Sequence, residues 1–197
     1  VVSGPVKGND ALQYAVSGFY RQSDGLRDPG FGNGNQGGQL KLGGTYKFDY
    51  GKLFADFKYL NDRGVFYSAI PLADPRNGDS LADLIDPGTG TLNSASLRNV
   101  SIRTLDGQGA SRVETRDLAD GVHPVTRTLT VGGDTQFANG WRLSDKARYV
   151  NGDVGFNALF NGAPTDAAAL LASRLAAARA AFPGTSSLRY ALAGSNT

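Results

Sequence analysis

The chain has 197 residues with no Cys and no Met, 27 Gly, and 20 Lys and Arg against 18 Asp and Glu, for a formal net charge of +2. That length can enclose one domain core, while the missing thiols exclude a disulfide scaffold, a thiolate metal site and a cysteine nucleophile. The mixed, nearly balanced charge gives no electrostatic footprint for nucleic acid, and glycine at close to twice its usual share of about 7 % favours extended chain and tight turns over a helical bundle.

Val1-Val2-Ser3-Gly4-Pro5 lacks the basic-then-apolar layout of a signal peptide, so a processed or cut start is expected. Beyond it, polar and apolar residues alternate with period two, as they do on a strand whose successive side chains point to opposite faces. The first such stretch, Leu12 to Arg21, sets Leu12, Tyr14, Val16 and Tyr20 against Gln13, Ser17 and Arg21. The second, Gln39 to Phe48, sets Leu40, Leu42, Tyr46 and Phe48 against Gln39, Lys41, Thr45 and Lys47. The third sets Leu53, Ala55, Phe57 and Tyr59 against Phe54, Asp56, Lys58 and Leu60. Leu129, Val131, Gly133 and Phe137 oppose Thr128, Thr130, Asp134 and Gln136 in the fourth, and Trp141, Leu143, Ala147 and Tyr149 oppose Arg142, Ser144, Lys146 and Arg148 in the fifth. Each stretch is about nine to eleven residues long, enough to cross a bilayer at the tilt of a barrel strand, whereas ordinary strands run to about five or six.

The connections alternate between short and long. Asp49-Tyr50-Gly51-Lys52 reads as a tight turn and Ala138-Asn139-Gly140 as a three-residue hairpin loop with Gly left-handed, which places Phe48 opposite Leu53 and Phe137 opposite Trp141. Ser23 to Gln36, the long segment 63–122 and everything after Asn151 read as loops. Tight turns at one end and long loops at the other are the plan of an outer-membrane barrel, with the long loops extracellular. Tyr46, Phe48, Phe137 and Trp141 near the short turns, and Tyr20, Tyr59 and Tyr149 near the long loops, bracket an aliphatic belt of Val16, Leu42, Ala55, Val131 and Leu143, the arrangement of two aromatic girdles. Asp145 breaks the pattern, since it falls on the apolar face unless a bulge turns it inward.

Ala167 to Ala181 predicts one short helix within a loop, capped by Thr165 or Asp166 and followed by Gly184. It carries Arg174 and Arg179 and is Ala-rich, so it is no membrane span. Without a spanning helix, the remaining structure that satisfies its backbone inside a bilayer is a closed barrel. The polar residues of the strands, Arg21, Lys41, Lys47, Asp56, Lys58, Asp134, Arg142, Lys146 and Arg148, would then project into a lumen, and Leu42, Phe57, Val131 and Leu143 would face lipid.

Motifs that suggest chemistry fail on context. Gly32, Gly34 and Gly37 match G-x-G-x-x-G by spacing, but no apolar strand precedes them and a strand follows. Asp74, Asn77 and Asp79 are oxygen donors without calcium-loop spacing. His123 is the single histidine and is expected at the loop-to-strand transition before Pro124. Asn99-Val100-Ser101 fits a glycosylation sequon, and Glu114, Asp117 and Asp120 interleaved with Arg112 and Arg116 read as a solvated loop. No nucleophile, base and oxyanion site assemble, so no enzyme, no catalytic, cofactor-binding or metal residue and no cofactor are expected.

Gly18-Phe19-Tyr20-Arg21, Asp24-Gly25-Leu26-Arg27-Asp28-Pro29-Gly30-Phe31, Gly37-Gly38-Gln39-Leu40 and Tyr59-Leu60-Asn61-Asp62-Arg63 together resemble the early barrel strands of TonB-dependent outer-membrane receptors. Gly140-Trp141, Asp145-Lys146-Ala147-Arg148-Tyr149 and Asp153-Val154-Gly155-Phe156-Asn157-Ala158-Leu159-Phe160 resemble a continuation of the same family. The resemblance implies that residues 1–197 are an all-β antiparallel meander, part of a transmembrane barrel of about 22 strands, with the plug domain and the remaining strands absent. It implies a bacterial outer-membrane location, outer-membrane lipid around the wall, and energy-coupled uptake of a scarce small-molecule ligand such as an iron–siderophore, cobalamin or glycan at the extracellular loops and lumen. The TonB inner-membrane energising complex would act through the missing N-terminal region. A porin or autotransporter barrel, and a secreted soluble β adhesin, are the alternative readings.

Overall fold

The computed structural model describes residues 1–74, 76–160, 162 and 165–189, and the chain divides into two units, Val1–Phe160 and Asn161–Thr197. The first unit is built on strands β1 (Val2–Val6), β2 (Asn9–Ser23), β3 (Asn35–Phe48) and β4 (Gly51–Gly64). Two small hairpins follow, β5 (Leu72–Asp74) with β6 (Asp79–Ser80) and β7 (Val100–Leu105) with β8 (Ser111–Arg116), before β9 (Val122–Gln136) and β10 (Arg142–Phe156). The main sheet has six strands in the order β1-β2-β3-β4-β9-β10, antiparallel throughout and not closed. The five expected stretches are thus five consecutive strands of one meander.

Alternation sets the register, because a slip of one residue would turn a whole strand over. Val2 faces Val16, Val16 faces Leu42, Leu42 faces Phe57, Phe57 faces Leu129 and Leu129 faces Tyr149, a row of six apolar residues with one on each strand. The neighbouring row on the other face runs Ser17, Lys41, Lys58, Thr128 and Val150. All nine polar residues expected to share a face do so, and so do the four expected on the opposite one.

Several details differ from the sequence expectation. The turn after β3 contracts to Asp49-Tyr50, so Phe48 lies opposite Gly51 and Leu53 opposite Tyr46. Phe48 and Leu53 therefore share a face as diagonal neighbours. The second turn is as expected: the Phe137 N–H donates to the Trp141 carbonyl at 2.8 Å and Gly140 is left-handed at φ 86°. β1 is an additional strand, joined to β2 through Lys7-Gly8 with Gly8 at φ 82°, and its Gly4-Pro5 interrupts the alternation that would have revealed it. β10 continues through Asn151 to Phe156, because Gly152 and Gly155 thin the pattern without breaking the ladder to β9. β9 begins at Val122, so His123 and Pro124 lie inside it, paired with Gly155 and Val154. Pro124 has no N–H to donate, and the ladder to β4 is interrupted there, between Asn61–Val125 and Gly64–Val122. No bulge turns Asp145 over. It stays opposite Gly133 on the apolar face, where its carboxylate accepts the Lys146 amide at 2.8 Å.

The long segment 63–122 is folded, and Arg112, Glu114 and Arg116 are strand residues of β8. It holds the two hairpins and two 3-10 turns, Ala95–Leu97 and Leu118–Asp120, the first turn lying against Gly30 of the β2–β3 loop, and the enclosed apolar residues among those described are Pro29, Val65 and Ala119. Among the described residues of the long strands none of the large apolar side chains is buried.

In the second unit, α1 (Ala167–Ala181) has the expected bounds and is capped by Asp166, whose carboxylate accepts the Ala169 amide at 2.8 Å. Gly184 beyond it is at φ 100°. No helix among the described residues is long and apolar enough to cross a membrane.

Candidate functional site

On the two central strands β4 and β9, exposure is inverted relative to an ordinary water-soluble sheet, while β10 at the edge is exposed on both faces. On β9, Leu129 and Val131 of the apolar face are 47 % and 44 % exposed, while Thr130 between them, on the polar face, is 6 % exposed. β4 repeats this: Leu53, Ala55 and Phe57 are exposed, and Phe54, Asp56 and Lys58 are half-buried. On these strands the polar face is the sheltered, inner one and the apolar face the outer one.

That inner face carries a charge lattice. Arg21 binds Asp62 at 2.9 Å near the loop end, and Lys52 and Arg142 share Asp134 at 3.6 and 3.3 Å near the short turns. Between them lies a depression of about 520 Å³ lined by Lys41, Lys58, Thr126, Thr128, Thr130 and Arg148 among others. Lys41 stands directly opposite Lys58, and the carboxylate near them is Asp56, 3.9 Å from the Lys41 ammonium.

At the long-loop end, side chains tie distant segments together. The Arg63 guanidinium donates to the Gln36 side chain at 2.8 Å and reaches the Ala119 carbonyl and Asp120, each at 3.4 Å. Arg27 donates to the Gly90 carbonyl, the Tyr67 hydroxyl to the Arg27 carbonyl, and Asn93 to the Phe66 carbonyl. The Ser68 hydroxyl donates to the Leu159 carbonyl, beside a cluster of Phe66, Phe156 and Phe160 with ring centroids 5.3–5.9 Å apart. Arg98 holds Asp117 at 2.6 Å and stacks over Phe31. This ion pair keeps the Asp117 carboxyl below the usual aspartate range, with a further bond from the Ala119 amide, and raises Arg98. Glu114 is likewise held low by Arg116 and Arg112.

The residues singled out in the sequence are dispersed. Gly32 and Gly34 lie in the β2–β3 loop and Gly37 in β3. The Asp74 carboxylate accepts the Arg76 amide in the β5–β6 hairpin. His123 meets Asn61 at 2.8 Å on the apolar side of the loop end. Asn99 is left-handed at φ 55° just before β7. Asp117 and Asp120 do have structural partners, Arg98 and Arg63, which lie 19 and 57 residues away and are invisible to a reading by local spacing. The threonine row of β9 was legible as T-x-T-x-T, a period-two polar run, but its cationic neighbours come from other strands. Comparisons with protein-family models, curated proteins and solved structures find no match.

Proposed function

We propose that the six-stranded sheet is a section of the wall of a bacterial outer-membrane β-barrel, and that the barrel is a receptor and transporter of the TonB-dependent kind. The carrying observation is the exposure pattern of β4 and β9, where the apolar residues are outermost and the alternate residues, Asp56, Lys58, Thr128 and Thr130 among them, are sheltered. Such a sheet is stable with lipid outside and water or a hydrated plug inside. Two further features support this. The strands of 14 and 15 residues exceed the length a bilayer crossing needs. The loop-end tyrosines also step across the sheet as tilted strands require: Tyr20 on β2 pairs with Gly38, Tyr59 on β4 sits two ladder rows nearer the short turns, and Tyr149 on β10 two rows further.

In this reading the chain takes up a scarce small-molecule ligand through folded extracellular loops and performs no chemistry on it. Further strands complete the wall, and an inner-membrane complex energises the plug.

Trp141, the single tryptophan, permits a direct test. In Trp141→Phe chains refolded with vesicles of brominated lipid, a tryptophan placed at Val131 is expected to be strongly quenched. One placed at Val150, on the other face, is expected to be shielded from the bromines and reached by a water-soluble quencher. Equal quenching of the two by lipid overturns the membrane reading.

A further inference from the structure

We infer that the inner face binds a small multivalent anion, a polyphosphate or polycarboxylate, across the threonine row of β9. Thr126, Thr128 and Thr130 line the depression in the centre of the sheet, flanked by Lys58 on β4 and Arg148 on β10, with Lys41 and Lys146 close by. Like charges directly opposite on a ladder oppose folding, yet Lys41 faces Lys58 there. Among the described residues, Lys58, Lys146 and Arg148 have no carboxylate within 4.0 Å, and Asp56 is the one acid lining the depression. Elsewhere on the same face Arg21, Lys52 and Arg142 each reach an acid, and Lys47, opposite Lys52 beside the short turn, is the one further cation without one among the described residues.

Geometry gives the ligand its shape. Strands lie about 4.8 Å apart and rise about 3.4 Å per residue, so Lys58, opposite Thr128, and Arg148, opposite Thr130, are rooted about 12 Å from one another with the β9 threonines between them. An anion charged at both ends meets an ammonium at one end and a guanidinium fork at the other, and hydroxyl donors at its middle. Asp56 acts as an internal competitor. The site deepens the transport reading by giving the solute its charge, and its role in uptake rests on that reading. Anion binding in micelles does not, so the two fail separately.

The probe is inorganic tripolyphosphate added to the full chain refolded in detergent micelles at low salt. Acylation of lysines by a water-soluble reagent, read by mass spectrometry, is expected to slow several-fold at Lys41, Lys58 and Lys146 and to be unchanged at Lys7, in the β1–β2 turn. Protection that is absent, or equal at Lys7, overturns the site. Calorimetry then supplies opposite signs. The double change Lys58→Gln and Arg148→Gln is expected to weaken binding about tenfold or more, and Asp56→Asn to tighten it several-fold. A double variant that binds like the parent, or weaker binding by Asp56→Asn, also overturns the proposal. The labelling uses the unaltered chain, so it decides the question even if a variant does not refold.

Discussion

Val131 and Val150 are the same residue type on adjacent strands but opposite faces, 44 % and 57 % exposed. If lipid covers the apolar face, Val131→Arg in the complete barrel is expected to cost about 2 to 4 kcal/mol near mid-bilayer, and Val150→Arg less than about 1 kcal/mol, as for an ordinary surface change. Urea titration of folding into vesicles separates them. Asp145 gives the reverse case. It is a charge on the outer face between Trp141 and Tyr149, and since acids there cost less than bases, Asp145→Leu is expected to stabilise the lipid-folded state by up to about 2 kcal/mol. Gly121 is the backbone counterpart: at φ 48°, a Cβ would lie 2.0 Å from the Gly64 carbonyl oxygen. Gly121→Ala is expected to cost about 1 to 3 kcal/mol and to loosen the return of the long loop into β9, measurable by hydrogen exchange at Val122 and Asn157, whose amide donates to the Gly121 carbonyl.

The elements differ in how far the sequence announced them. β2, β3, β4, β9 and β10 were legible because one residue in two is apolar and the side-chain period of a strand is two. α1 was legible because alanine is the best helix former and Asp166 a strong cap. β1 was hidden by Gly4 and Pro5, and the hairpins of segment 63–122 by their length, six residues or fewer, over which alternation is indistinct. The loop segments are held by side-chain bonds between residues far apart in sequence, which no local pattern encodes. Arg98–Asp117 is the clearest of these. Because its carboxyl is depressed, the contribution of Asp117 is complete above about pH 3.9, the ordinary aspartate value, and is lost as the pH falls through the depressed value. Proteolysis of the loops between Asn93 and Asp120 is therefore expected to accelerate in strongly acidic buffer and not between pH 5 and 8. Asp117→Asn is expected to show the acid rate already at neutral pH.

At the scale of the molecule, the polar lattice was legible by face but not by balance. Arg21, Lys41, Lys47, Lys58, Arg142, Lys146 and Arg148 could be assigned to the polar face from parity alone, whereas Lys52 read as part of a turn. Which of them lack an acid depends on register between strands far apart in sequence, such as β4 and β9, where Gly51 pairs with Thr135. The same register leaves the outer edge of β10, 15 residues long, without a strand beside it among the described residues, while β1 covers only part of β2. Unpaired edges beside an exposed apolar face promote association. In detergent-free buffer the chain is expected to sediment as large aggregates, and in micelles as a small, uniform species. A monodisperse detergent-free monomer with a cooperative melt would speak for the soluble adhesin reading instead.

The inverted exposure of the sheet also concerns when the protein can fold. For most domains water drives collapse, and the folded form can appear wherever the chain is released. Here the apolar row from Val2 to Tyr149 stays exposed in the finished sheet, so burial of that row adds nothing to folding in water. If the sheet is the barrel wall proposed above, arrival at lipid becomes the folding signal, and on the way there the long strands would travel open and need an escort that shields them and lets go at the boundary.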